Sequence, residues 1–152
     1  TDGIAVAAQV REYALATAQG RSPTECEALR ESVTSAVASL AHAPKAVRSI
    51  LEQRLEAVAA GTVNLDVAAN EAALRLLCIR AELISGAPTP PEDLELRREY
   101  QMRRLVESMG HGERVTPAAL DDLALEWIAI GPVEPAVHDA LLARFERCRT
   151  AR

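Results

Sequence analysis

Apolar residues recur at helical spacing along most of this chain. Val137, Leu141, Phe145 and Cys148 fall on one stripe, Ile50, Leu51, Leu55 and Val58 on a second, and Met102, Leu105, Val106 and Met109 on a third. Start and stop signals frame these stripes. Ser22-Pro23-Thr24-Glu25 and Thr89-Pro90-Pro91-Glu92 read as capping boxes with proline in the first turn, and Thr116-Pro117 opens a helix in the same way. Gly20, Gly61, Gly86, Gly110 and Gly131 each follow a helical pattern, where a residue without a side chain can end the helix in the left-handed region. The pattern predicts seven helices, over 4–19, 22–41, 44–60, 65–85, 91–109, 117–130 and 135–149. No pair of alternating apolar strands flanks a tight turn, so the fold class is all-α. Short connections turn successive helices back on each other, which predicts hairpins over 22–60 and 117–149 flanking a central pair over 65–109. The turn Ala87-Pro88-Thr89-Pro90-Pro91 is too short for an interdomain linker, and 1–152 is expected to form one helical body.

The last hairpin has a fainter copy of itself ninety positions earlier. Ala46 and Val47 answer Ala136 and Val137, Leu51 answers Leu141, Arg54-Leu55-Glu56 answers Arg144-Phe145-Glu146, and Val58 answers Cys148. A repeated helical unit that cannot bury its apolar face alone implies stacking. The chemistry inside the stripes sharpens the expectation. Arg98 falls in the path of Leu94, Met102, Leu105 and Met109, while Arg144 and its counterpart Arg54 occupy one slot in the two copies. An arginine so placed must extend to water or meet a carboxylate, and each is expected to tie its hairpin to a neighbouring helix end or carboxylate. Trp127 is expected to anchor the last hairpin near Leu123, Ile130 and Leu141.

Composition narrows the function classes. A 152-residue chain can bury a core without disulfides or a metal, and with four aromatic residues (Tyr13, Tyr100, Trp127, Phe145) that core must be largely alanine, leucine and valine. The net charge of −5 is spread over both halves, so neither half is a basic module of the kind that binds duplexes. Lys45 is the one lysine among the basic residues, a bias that suits helices because arginine is a good helix former. Cys26, Cys78 and Cys148 have no paired spacing and read as free thiols, small apolar side chains of a reducing compartment. No apolar leader or uncharged membrane-length stretch appears, and Arg75, Arg80 and Glu82 interrupt the most apolar helix. The expected location is cytoplasmic. A chain that opens on Thr1 rather than methionine is expected to be a piece of a longer protein.

Candidate chemistry is sparse. His42, His111 and His138 lie in separate segments without metal-ligand spacing, and no nucleophile elbow or phosphate loop is present, so no metal, cofactor or catalytic residue is assigned. The carboxylates of Asp121, Asp122 and Glu126, and of Glu92, Asp93 and Glu95, are in or near first turns, where they suit the helix dipole. Two arginine clusters remain: Arg97, Arg98, Arg103 and Arg104 around Tyr100 and Gln101, and Arg144, Arg147, Arg149 and Arg152 near the end. Arg97, Gln101 and Arg104 share a helix face, and Arg144 and Arg147 are three apart, so these five residues are the candidate phosphate or partner contacts.

The turn Trp127-x-x-Ile130-Gly131-Pro132-Val133 followed by Leu141-x-x-Arg144-Phe145-x-x-Cys148 resembles the bacterial domain-of-unknown-function family number 349. The stretches Leu77-Cys78-Ile79-Arg80-Ala81-Glu82, Pro91-Glu92-Asp93 and Leu96-Arg97-Arg98-Glu99-Tyr100-Gln101 are similar to the C-terminal region of its large proteobacterial members. The likeness covers residues 74 to 149; in the earlier copy Val37 stands where the tryptophan would be. The resemblance implies a C-terminal piece of a long cytoplasmic helical-repeat protein, with no established chemistry. The residues and the resemblance together lead to the expectation of a non-enzymatic interaction or scaffold module. Its partner would be the rest of the parent chain or another protein. The alternatives are a nucleic-acid-associated module using the arginines and, by family labelling alone, a nuclease-like enzyme with a metal at Asp121, Asp122 and Glu126.

Overall fold

The computed structural model describes residues 2–40, 42–107 and 118–150. Seven α-helices follow in order: α1 Asp2–Ala18, α2 Pro23–Ala38, α3 Lys45–Ala60, α4 Val67–Ser85, α5 Leu94–Glu107, α6 Ala118–Ile128 and α7 Pro135–Thr150, with a 3-10 turn at Pro91–Asp93 ahead of α5. No strand occurs among the described residues, and the chain is all-α as its periodicity predicts. Met109, Gly110, His111, Thr116, Pro117, Arg152 and Ala41, which carry several of the sequence expectations, lie outside the described residues.

Local chemistry sets the helix ends. Ser22 Oγ accepts the backbone N–H of Glu25 at 3.2 Å, and Pro23 fills the first helical position of α2. Asp66 accepts the N–H of Ala69 at 3.1 Å, so α4 starts at Val67, two residues later than the stripe alone predicts. Gly61 and Gly86 close α3 and α4 at φ of 71° and 76°.

Gly131 corrects the expectation that it is a left-handed stop, because it is absent from the positive-φ residues. Its role is close approach: an added Cβ would lie 2.6 Å from the Asn64 carbonyl oxygen and 2.8 Å from Asn70 Nδ2. The buried Asn70 amide donates to the carbonyls of Asn64 and Pro132, at 3.0 and 2.9 Å. This fastens the turn after α6 to the loop before α4.

Packing falls into two groups of three joined through α6. Helix α1 lies on both α2 and α3, α4 lies on both α6 and α7, and α6 also meets α1 and α3. The partners are therefore different from the successive hairpins expected from connection length. Helices α6 and α7 meet through the side chains of Trp127, His138 and Phe145, while α4 supplies their broad contact. Helix α5 is not a second arm lying along α4; it touches that helix lightly and lines up behind the 3-10 turn.

The ninety-residue offset carries through to the elements. Helices α3 and α7 begin and end at that spacing, and α2 and α6 end at it. Val33 and Leu123, Val37 and Trp127, Leu51 and Leu141, and Val58 and Cys148 are buried in both members of each pair. The core runs from Ile4, Val10 and Leu51 through Leu74 and Cys78 to Trp127 and Phe145.

Burial sorts the cysteines: Cys78 and Cys148 are core residues, and Cys26 is only partly covered on α2. Removal from water pushes the Cys78 thiol up to about 12, which leaves it an unreactive side chain at neutral pH.

Candidate interaction surface

A buried ionic network at the end of α4 determines where α5 points. Arg144 on α7 is 6 % exposed and spans two carboxylates. Its Nε and Nη2 donate to Glu82 Oε2 and Oε1 at 2.6 and 2.8 Å, and its Nη1 donates to Asp93 Oδ2 at 2.6 Å. The paired geometry at Glu82 is the two-pronged arrangement that suits a guanidinium. Burial alone would lower the Arg144 pKa, but the bonds from Glu82 and Asp93 outweigh it and raise it. Thr89 Oγ1 donates to Glu82 Oε1 at 2.8 Å and accepts from Arg97 Nη1 at 2.9 Å, while Arg97 also donates to the Ala87 carbonyl at 3.3 Å. Arg75 Nη1 adds a second cation to Asp93 at 3.2 Å. The residue preceding α5 and the first turn of α5 are thus fixed to α4 and α7.

From that root α5 runs with its faces reversed relative to an ordinary surface helix. Leu96, Arg97, Tyr100 and Arg104 are half-buried, and Arg104 Nη1 donates to the Tyr100 hydroxyl at 3.0 Å with its guanidinium over the ring. The apolar residues other than Leu96 face water: Met102 is 61 % exposed, Leu105 62 %, Val106 68 % and Leu94 45 %. A helix of 14 residues with none buried and its apolar side outward is the feature of this molecule that burial within the described residues leaves unexplained.

The expectations for the arginines separate on this geometry. Arg144, expected to join Arg147 as a candidate phosphate contact, is enclosed and its donors meet Glu82 and Asp93; Arg147 remains exposed. Arg97 and Arg104 are turned inward onto Thr89 and Tyr100, and Gln101 is exposed. Arg97 and Arg144 do meet in one network, but around the carboxylate of Glu82. Arg98 does not tie two helices together: it is an exposed residue 3.7 Å from Glu95 on its own helix, because the stripe it interrupts faces water. Arg54 makes no ion pair among the described residues; it lines a small cavity together with Arg11. Asp121, Asp122 and Glu126 are exposed, with Glu126 paired to Arg80 at 3.0 Å. Among the described residues no group of three or more His, Cys, Asp or Glu is placed to hold a metal, and no helix is long and apolar enough to cross a membrane.

Trp127 anchors the other end of the α6–α7 junction. Its ring is fully buried 4.8 Å from that of Phe145, and its Nε1–H donates to His138 Nε2 at 3.3 Å. Gly131, Pro132 and Leu141 are buried around it. Arg11 reaches in from α1, donating to the carbonyls of Ile130 at 2.9 Å and Trp127 at 2.5 Å, with Nη1 3.4 Å from His138 Nε2. It satisfies the Ile130 carbonyl just past the end of α6 and adds a second donor to the Trp127 carbonyl, which also accepts the N–H of Ile130 at 3.2 Å. Since tryptophan and arginine only donate, His138 Nε2 must accept, and its proton sits on Nδ1, 3.4 Å from Asp139.

Burial and then Arg11 hold the His138 pKa below its ordinary value, with Asp139 opposing them. The unfolded chain therefore binds this proton more readily than the native one. The contribution of neutral His138 is complete above about pH 6.5 and is lost as pH falls through the lowered native value. Urea unfolding between pH 5 and 8 should show stability declining on the acid side, and a smaller decline in the same window for His138→Gln.

No protein-family profile, characterised protein or solved structure matches this chain.

Proposed function

We propose that this chain is a non-enzymatic helical interaction module of degenerate-repeat type, and that the outward face of α5 is its docking element. The observation that carries the reading is the reversed helix: Met102, Leu105 and Val106 are left in water while the arginines and tyrosine of α5 are turned toward the body. The ionic network at its root gives that face a fixed direction, and a pre-set contact surface loses less freedom on binding. The matched bounds and buried positions of α2–α3 and α6–α7 support the repeat, and the likeness to family 349 supports a place in a longer bacterial helical protein. Arg103 is exposed beside Met102 and carries no ion pair among the described residues. The occupant is accordingly an amphipathic helix with an apolar seam and a flanking carboxylate, on another protein or elsewhere in the parent chain.

The test uses a leucine-seamed helical peptide with glutamate flanks, beside the same peptide with lysine flanks. The glutamate peptide should bind more tightly, and Met102→Glu with Leu105→Glu should abolish binding while moving stability by no more than about 0.5 kcal/mol, as expected for surface changes. A large loss of stability in that variant would mean the face is already covered within the protein and would overturn the reading. Salt-sensitive binding of labelled RNA or DNA lost on substitution of Arg97 and Arg104 would replace it with the nucleic-acid alternative.

A further inference from the structure

The two helical groups treat one equivalent arginine in opposite ways. Arg144 on α7 faces α4 and meets the carboxylates of Glu82 and Asp93. Arg54 lies ninety positions earlier on α3, which packs on α1 as α7 packs on α4. What Arg54 meets from α1 is a second cation, Arg11. The two line one cavity of about 10 Å³ whose other walls include Val10, Val58, Val63 and Ile130, and no acidic residue lines it. Arg11 is 5 % exposed and spends its bonds on the end of α6 and on His138. The helix terminus offsets about half an elementary charge of the pair. The Arg11 charge is thus only partly offset in an apolar surround, where Coulomb terms are stronger than in water, and the half-buried Arg54 sets a second, partly solvated positive charge beside it. Burial and the nearby Arg54 hold Arg11 down to about 10, the direction expected of a cation facing another without a counter-ion.

We infer that the cavity between Arg11 and Arg54 is a carboxylate-binding site, filled from outside the described residues by the group that Glu82 supplies to Arg144. Arg54 is the recognition residue: its guanidinium has no carboxylate partner among the described residues, and it is half-buried at the wall of the cavity. The volume admits about one water-sized atom, so a single oxygen of a carboxylate on a slender side chain enters, while an anion carried on a bulky group is held at the wall. The carboxylate can come from a small free acid or from an aspartate or glutamate side chain of a bound protein.

The experiment is thermal unfolding of the full chain, with proton NMR of the arginine Nε–H groups, in acetate, in N-acetylglutamate amide, and in a bulky organic sulfonate at the same ionic strength. The unfolding midpoint should climb by about 3–5 °C for each tenfold increase of carboxylate above its dissociation constant. The sulfonate should leave it flat. Acetate acting alone identifies a free small acid; action of the glutamate derivative as well identifies a site open to a protein side chain. Arg54→Gln should abolish the response and, by removing a like charge from beside Arg11, should unfold in sulfonate no earlier than the parent protein. Equal midpoints in all three salts with unmoved arginine resonances, or an undiminished response in Arg54→Gln, would overturn the proposal and leave the cavity to water.

Discussion

Arg144→Met is expected to lower stability by about 3–5 kcal/mol, measured by urea unfolding at neutral pH. The size comes from what remains rather than from what is removed. Glu82 and Asp93 are 2 % and 5 % exposed, and without Arg144 two carboxylates stay buried beside the core thiols of Cys78 and Cys148. Asp93 keeps Arg75 at 3.2 Å, and among the described residues the Glu82 carboxylate keeps the Thr89 hydroxyl alone. Glu82 should therefore account for most of the loss. Arg144→Met combined with Glu82→Leu removes the unpaired charge along with the pair, and this double variant should be more stable than Arg144→Met alone. Recovery to the parental level is not expected, because the buried Thr89 hydroxyl loses its acceptor. The network also holds the start of α5, so amide exchange at Asp93 and Leu94 should accelerate in Arg144→Met beyond what the global change explains. A double variant no more stable than the single one would show that the stranded carboxylate is not the source of the cost.

What could be read from the sequence divides along physical lines. Helix number and limits follow from local chemistry, since capping residues, prolines and apolar spacing act over a few residues; α3, α4 and α7 start or stop within two residues of expectation. Which helices touch is decided by side-chain volume and by charges meeting at a distance, and connection length is a poor guide to it. The outward turn of α5 shows why. Its stripe has the same spacing as the stripes that are buried, and the bonds of Asp93 to Arg144 and Arg75 and of Arg97 to Thr89 and Ala87 set which face meets the body. The slot of Arg144 is legible because an arginine interrupts a core stripe. Its partners are less so, although Glu82 inside the apolar run from Leu74 to Ile84 is an available signal. Arg54 has the same signal and no carboxylate partner among the described residues, and a pattern read along the chain cannot distinguish the two slots.

The second large effect is expected at Trp127. Its alanine variant should lose about 3–5 kcal/mol, which for a chain of this size lowers the unfolding midpoint by roughly 6–20 °C. The indole is fully buried, packs on Phe145, and gives His138 one of its two donors. Alanine there leaves a void in the place where α4, α6 and α7 converge, bordered by the fixed turn at Gly131 and Pro132 that cannot fold into it without breaking the Asn70 bonds. Trp127→Phe separates the two contributions: it keeps a ring against Phe145 but drops the N–H, and should cost about 1–3 kcal/mol. Circular dichroism is the proper readout, because Trp127 is the sole tryptophan. If alanine and phenylalanine cost the same, the hydrogen bond to His138, and not the packing of the ring, holds α6 to α7. The pH dependence assigned to His138 should then weaken in both variants, since the ring would no longer be fixed beside Arg11.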